Sequence, residues 1–342
     1  MNHGRYRVWH WRSWSVRYAP PALLLAALLM VLLLVMAAYG LTVGSMRVPL
    51  ADVVAIVMGH DESGLSARIV LDIRLPRILA AIFVGAALGV SGAIFQSISR
   101  NPLGSPDLIG FTTGAATGAL TLILFFSPSV LQITLAATVG GLATALIVYL
   151  FALKGGGGGY RLILIGLGVG STLSAVNGLL LVRGDLDDAL WANIWLAGSL
   201  NGRTWSQVWP LMLGVVVLVP VVCFGARALT LLEMGDDIAR QLGVPTERLR
   251  LGMIMCAVIL AALATGTAGP IAFIALAAPQ LSRSLLPGVA LPVLCSACMG
   301  AGLLLLADLL IQALPLAVSV PVGRMTGIVG GLYLLWLLTR QR

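Results

Sequence analysis

Charge is scarce in these 342 residues: 10% are Asp, Glu, Lys or Arg, 59% are hydrophobic, and Lys154 is the one lysine. Histidine is scarcer, and His3, His10 and His60 all fall in tails or loops between apolar runs. An intramembrane HExxH metalloprotease site therefore has nothing to build from. No GxSxG or histidine partner exists for a serine hydrolase. No G-x-x-x-x-G-K-[ST] occurs either, since Lys154 precedes five glycines outside any phosphate-loop pattern, so ATP hydrolysis by that route is excluded. Of the four cysteines, Cys295 and Cys298 have CxxC spacing, but they and Cys223 and Cys256 sit in or beside apolar spans with no histidine or acid cluster. They read as small packing residues, with neither a metal nor a redox role. Alternating ten-residue strands are missing too, which excludes a transmembrane barrel.

What is present is continuous apolar sequence rich in Leu, Ala and Gly, with a mean hydropathy of +1.01. Several runs exceed the roughly 20 residues needed to cross a hydrocarbon core. The chain reads as an all-α, polytopic membrane protein of ten helices, at about 21–41, 75–97, 108–126, 131–153, 161–182, 206–226, 250–269, 271–282, 290–312 and 321–339. The eighth is too short to span and carries Pro270 and Pro279, so it reads as broken or buried against other helices. The head, 1–20, is basic like a signal peptide, but the run after it exceeds a signal core of about 7 to 15 residues. It reads as a cytoplasmic tail before an uncleaved first helix, with Trp9, Trp11 and Trp14 near the interface. Residues 21–342 form the membrane body.

Arginine placement sets the topology. With the N-terminus in the cytoplasm, four head arginines, Arg100, Lys154, Arg161, Arg227, Arg240, Arg248, Arg250, Arg283, Arg340 and Arg342 fall on that side, out of 21 cations in all. That satisfies the positive-inside rule with both termini inside. The net charge of +8 is thus a matter of topology, scattered over short loops, and nucleic-acid binding is not supported.

Two segments outside the bilayer stand out. Residues 42–73 lie outside and hold a short surface helix over Pro49 to Met58. Residues 227–249 lie inside, where Leu231, Leu232, Ile238, Ala239 and Leu242 form two short helical patterns broken at Gly235 and Gly243. Two amphipathic helices there suit a groove on a soluble partner.

Within the membrane, Gly85/Gly89, Gly110/Gly114/Gly118 and Gly166/Gly170 have the spacing that lets helix backbones approach. Asp308 is the one carboxylate deep in a predicted helix. It reads either as a functional acid, as in an ion-coupled secondary transporter, or as a helix-packing hydrogen bond.

Longer motifs add a resemblance. Arg74-Leu75-Pro76-Arg77, the helix from Gly85 through Ser91-Gly92 to Phe95-Gln96, and Asn101-Pro102-Leu103-Gly104-Ser105-Pro106-Asp107 come first. Gly198-Ser199-Leu200-Asn201-Gly202, Met234-Gly235-Asp236-Asp237, Gly269-Pro270-Ile271 and Pro321-Val322-Gly323 follow. From about residue 40 onward the chain resembles the permease subunit of iron-siderophore and cobalamin ABC importers, with wording nearest ferric-enterobactin-type permeases.

The resemblance implies the BtuC-like type II importer fold, with an inverted repeat relating helices 2 to 5 with 7 to 10. It implies a bacterial inner-membrane subunit that is not itself an enzyme and binds no cofactor. Its implied partners are a second permease, two cytoplasmic ATPases carrying ATP and magnesium, and an external binding protein; its cargo is a ferric siderophore, with cobalamin or heme as alternatives. Arg74 takes the place of an external docking arginine, and Arg324 is a substitute for a second one whose position here holds Gln312, which hints at a heterodimer. Leu231, Leu232, Gly235, Asp236, Asp237, Leu242 and Gly243 match the ATPase-coupling helices. Gly155 and Gly159 match the cytoplasmic gate, and Ser171 and Asn177 the pathway on the next helix. Where the family often has histidine after Pro279, this chain has Gln280.

Overall fold

The computed structural model describes residues 7–11, 14–44, 46–60, 64–126, 128–153, 159–313 and 320–340. The helices are α1 (Pro20–Thr42), α2 (Leu50–Val57), α3 (Leu65–Arg68), α4 (Leu75–Ser99), α5 (Phe111–Phe125), α6 (Val130–Leu153) and α7 (Gly159–Arg183). They continue with α8 (Leu186–Leu196), α9 (Trp205–Glu233), α10 (Asp236–Gln241), α11 (Thr246–Ala268), α12 (Ile274–Leu285), α13 (Val293–Ala313) and α14 (Val322–Arg340). All ten predicted spans are helical, as α1, α4 to α7, α9 and α11 to α14. A π-helical turn, Ile69–Arg74, joins α3 to α4 without a break, and a 3-10 turn, Pro106–Ile109, precedes α5.

Three features depart from expectation. The head is not a plain tail: β1 (Arg7–Trp11) pairs antiparallel with β2 (Trp14–Tyr18), consistent with the strand preference of Val, Trp and Tyr. The second cytoplasmic pattern is a single short helix, α10, because α9 runs on through Leu231 and Leu232 to Glu233. At 29 residues α9 is about 43 Å long and outreaches a hydrocarbon core of about 30 Å. Helix α8 was not predicted; eleven residues carrying Asp187 and Asp188 are too short and polar to read as a span.

Helix α4 is the axis of the bundle. In the apolar window of Leu65–Ser99 83% of residues are buried, against 11% for Pro20–Thr42, which faces outward. Lipid gives helices no hydrophobic drive toward each other, so close backbone contact must hold them. A Cβ on Gly85 would stand 2.3 Å from the Gly300 carbonyl oxygen, one on Gly89 2.3 Å from that of Ser296, and one on Gly92 1.7 Å from that of Ala275. The glycine face of α4 thus seats α13 and the start of α12. Gly114 and Gly118 seat α5 against α6, and Gly110 meets Gly166 and Gly170 of α7.

The pairings repeat. Helix α4 packs on α11 and α13 while α11 packs on α6; α5 packs on α6 and α7 as α12 packs on α13 and α14. Exchanging α4–α7 with α11–α14 maps this pattern onto itself, as an inverted repeat requires. In each half the second helix is short, 15 residues in α5 and 12 in α12, and follows an irregular segment.

Candidate functional site

Three places along the bundle carry the polar chemistry. The upper end is defined by the start of α4 and the end of α13, the lower end by the ends of α4 and α9.

At the upper end Arg74 is turned inward, 8% exposed, donating through Nη1 to the Leu41 carbonyl at 2.6 Å and through Nη2 to that of Met46. The residue expected to face a docking partner thus has its side chain engaged within this chain. The π turn places position 74 toward α1, and its guanidinium takes one carbonyl from the last turn of α1 and one from the chain beyond it. Arg47, which follows the segment Arg74 holds, is exposed, as are Arg68 and Arg183.

Arg77 is the second arginine of the motif. Its Nε lies 3.0 Å from Asp308 Oδ2 and its Nη2 2.7 Å from Oδ1, a bidentate pair across α4 and α13. Gln312 Nε2 donates to Asp308 Oδ2 at 2.8 Å. Asp308 is 1% exposed and fully engaged, so of its two readings the helix-packing one describes its place.

In the middle, elements that end or begin inside the bundle converge. Gly198, with φ of +68°, lies so close to its neighbours that a Cβ would stand 2.1 Å from the Pro270 carbonyl oxygen. Ser199 N–H donates to the Ala268 carbonyl, and Gly323 N–H to that of Gly198. The motifs at 198–202, 269–271 and 321–323, far apart in sequence, thus meet at one junction. Beside it a cavity of about 360 Å³ is lined by Asp107, Thr112, Thr113, Asn193, Leu196, Ala197, Pro270 to Ala272, Gly323 and Arg324. Asp107 lies apart from Asn101, because the chain climbs back so that Gly110 meets Gly166 and Gly170, about two turns into α7. Arg324 lines the same cavity.

Of the pathway residues, Ser171 is exposed on α7, whereas Asn177 is buried and donates Nδ2 to the Thr113 carbonyl at 3.2 Å. Asn177 thereby ties α7 to α5. Gly159 opens α7, and Gly155 lies outside the described residues.

The lower end is an ion-pair network. Glu233 accepts from Arg283 Nη2 at 2.6 Å and from Ser97. Asp236 accepts from Arg250 Nη2 at 2.7 and 2.9 Å and from Arg100, whose Nε also donates to the Leu232 carbonyl at 3.0 Å. Partial burial pushes the Asp236 carboxyl up, but Arg250 and Arg100 outweigh it and hold the group below the usual carboxylate range. The segment 232–236 is therefore bolted to α4, α11 and α12 at once. Gln280 Nε2 adds a bond to the Pro102 carbonyl at 2.6 Å, and Gln96 Nε2 one to that of Leu276 at 3.0 Å.

Part of the apolar pattern read in the sequence is bare and part is buried. Leu232 is buried in the core and Leu231 half-buried, while Met234, Ile238 and Leu242 are 61%, 44% and 59% exposed. Asp237 is exposed beside them. Gly235 and Gly243, at φ of +122° and +81°, bound α10 with backbone that side chains rarely adopt. Sequence reasoning missed Met234, which caps the end of α9 just before the break at Gly235 and lies beside α10 without sharing its helix. Arg77 belongs to a recognised motif, but neither its role nor those of Glu233, Arg100 and Asn193 could be read, because their partners or cavity neighbours lie up to 231 residues away.

A model of the FecCD transport family matches residues 29–340. The chain is 45% identical over 307 residues, 90% of its length and 93% of the relative's, to the ferric enterobactin transport system permease protein FepG of Escherichia coli (strain K12). It is 37% identical over 288 residues, 80% of its length and 83% of the relative's, to the hemin transport system permease protein HmuU of Yersinia pestis. Among solved structures, one described as an inward-facing conformation of a metal-chelate type ABC transporter superposes with a TM-score of 0.81 at 28% identity. It covers 93% of this chain and 99% of that one.

Proposed function

The chain belongs to the FecCD transport family, and from that premise we propose that it imports a ferric siderophore of the enterobactin class as the membrane permease of an ABC importer. It is a transport component and not an enzyme; ATP with its magnesium is bound and hydrolysed on separate chains. The observation that carries this reading is the lower end: a bare apolar stripe, Met234, Ile238 and Leu242, on a segment braced by ion pairs to three helices of the core. A push on that stripe moves α4, α11 and α12 together, and α4 is the axis of the bundle.

The remaining parts follow the same reading. The arginine-rich lower end faces the cytoplasm of a bacterial inner membrane, with both termini on that side. An external binding protein docks at the upper end through Arg47 and Arg68, on chain that Arg74 holds in place. A second permease subunit covers the exposed apolar face of α8, where Leu190, Trp191 and Ile194 are bare, and completes the passage. Gln312, turned onto Asp308, leaves one docking position empty and favours two unlike permeases.

Co-purification tests the assembly, and a cargo panel tests the substrate. Proteoliposomes holding the complete importer should take up a ferric tris-catecholate chelate in preference to heme or cobalamin. Uptake of heme or cobalamin in its place would reject the siderophore assignment.

A further inference from the structure

The cavity beside the Gly198 junction has the make-up of a ligand site. Its volume of about 360 Å³ lies within the range of small-molecule pockets. It is bordered by the starts of both short helices, the turn before α5 and the loop before α12, which occupy corresponding positions in the two halves. Discontinuous helices at corresponding positions of inverted repeats mark substrate sites in transporters. Irregular backbone at membrane depth is otherwise tolerated only where protein buries it. Its polar lining is specific: the Arg324 guanidinium, the Thr112 and Thr113 hydroxyls, the Asn193 amide and the Asp107 carboxylate. Arg324 is exposed and makes no side-chain hydrogen bond or ion pair among the described residues, while Asp107, also exposed, accepts from Thr112. The Thr112 hydroxyl is spent on Asp107 and the Asn193 amide on the Ala189 carbonyl, so the bare Arg324 guanidinium is the group that suits an anionic, oxygen-rich ligand.

Resting on the importer reading, we propose that this cavity is a transient station for an anionic metal chelate in passage, with Arg324 as its attracting group and Asp107 as the group that keeps the stay short. Passage needs binding strong enough to admit the cargo and weak enough to release it. One cation opposed by one carboxylate across the same cavity meets both demands. Arg324 is then a selectivity residue of the path and has no part in docking.

The test uses the complete importer in proteoliposomes with a ferric tris-catecholate chelate. Arg324→Gln should cut uptake about tenfold while association of the binding protein and basal ATP hydrolysis stay within twofold, and Arg324→Lys should restore most of the uptake. Asp107→Asn should slow release, so that chelate is retained on the complex. Independently, an Arg324→Cys thiol in a background free of other cysteines should react with an anionic thiol reagent and be shielded by the chelate. Shielding without uptake by the unaltered complex would fail the importer reading alone. Uptake unchanged in Arg324→Gln, loss of binding-protein association in parallel with uptake, or a thiol the chelate does not shield would overturn the proposal.

Discussion

The Asp308 carboxylate is 1% exposed and held by Arg77 and Gln312. Removing one member of a buried pair strands the other without water, at a cost of about 3 kcal/mol, whereas replacing both with apolar groups is often neutral. Asp308→Asn should therefore lower the unfolding midpoint of the purified protein sharply, and the double change Arg77→Met with Asp308→Leu should recover most of it. A proton-coupled role would reverse that order, with Asp308→Asn leaving stability intact and abolishing transport. Arg74 makes a different prediction. Arg74→Glu would place a carboxylate against the Leu41 and Met46 carbonyls, so uptake should fall together with the protection of residues 41–49 from proteolysis.

At the scale of elements, α10 and the end of α9 form one lever. Ile238→Glu or Leu242→Glu puts charge on the bare stripe without touching the core, and either should weaken association of the ATPase at least tenfold while the permease stays folded. Leu232→Glu, buried in the same segment, should instead destabilise the protein itself, and comparing the two in a pull-down with a thermal melt separates surface from core. The acids of the lever also have a pH signature. Because the Asp236 carboxyl sits below its ordinary value of 3.8 in the folded protein, its ion pairs contribute in full above that value. Their contribution is lost as pH falls through the lowered value. Amide protection factors over 236–241, with the intrinsic pH dependence of exchange divided out, should thus be flat from pH 8 to about 5 and fall only in strong acid. Helix α4 imposes the strictest packing rule: Gly92→Val would drive a side chain into the Ala275 backbone, and the variant should fail to accumulate in the membrane.

For the whole molecule, hydropathy and Gly/Pro punctuation were enough to place a helix at each predicted segment, seven of them among the described residues long and apolar enough to span, because lipid forces spanning segments to be apolar and helical. Side-chain direction was not legible in the same way. Arg74 and Leu232 face inward, since a π turn and an extended α9 shift their helical phase, and no sequence pattern announces either. Partners were hidden for a different reason: Arg77 and Asp308, or Arg100 and Asp236, are joined only by the folded topology. Helix α8 escaped because a helix that enters the bundle and turns back at Gly198 needs neither the length nor the apolarity of a span. The central claim is that the lower-end stripe receives work from ATP and α4 carries it to the passage. The measurement that tests it most directly is uptake of a ferric tris-catecholate chelate by proteoliposomes containing this chain with its companion permease, ATPases and binding protein. The expected result is uptake that requires ATP, ignores imposed proton or sodium gradients, and is lost in Leu242→Glu. Uptake driven by a gradient in the absence of any ATPase would contradict it.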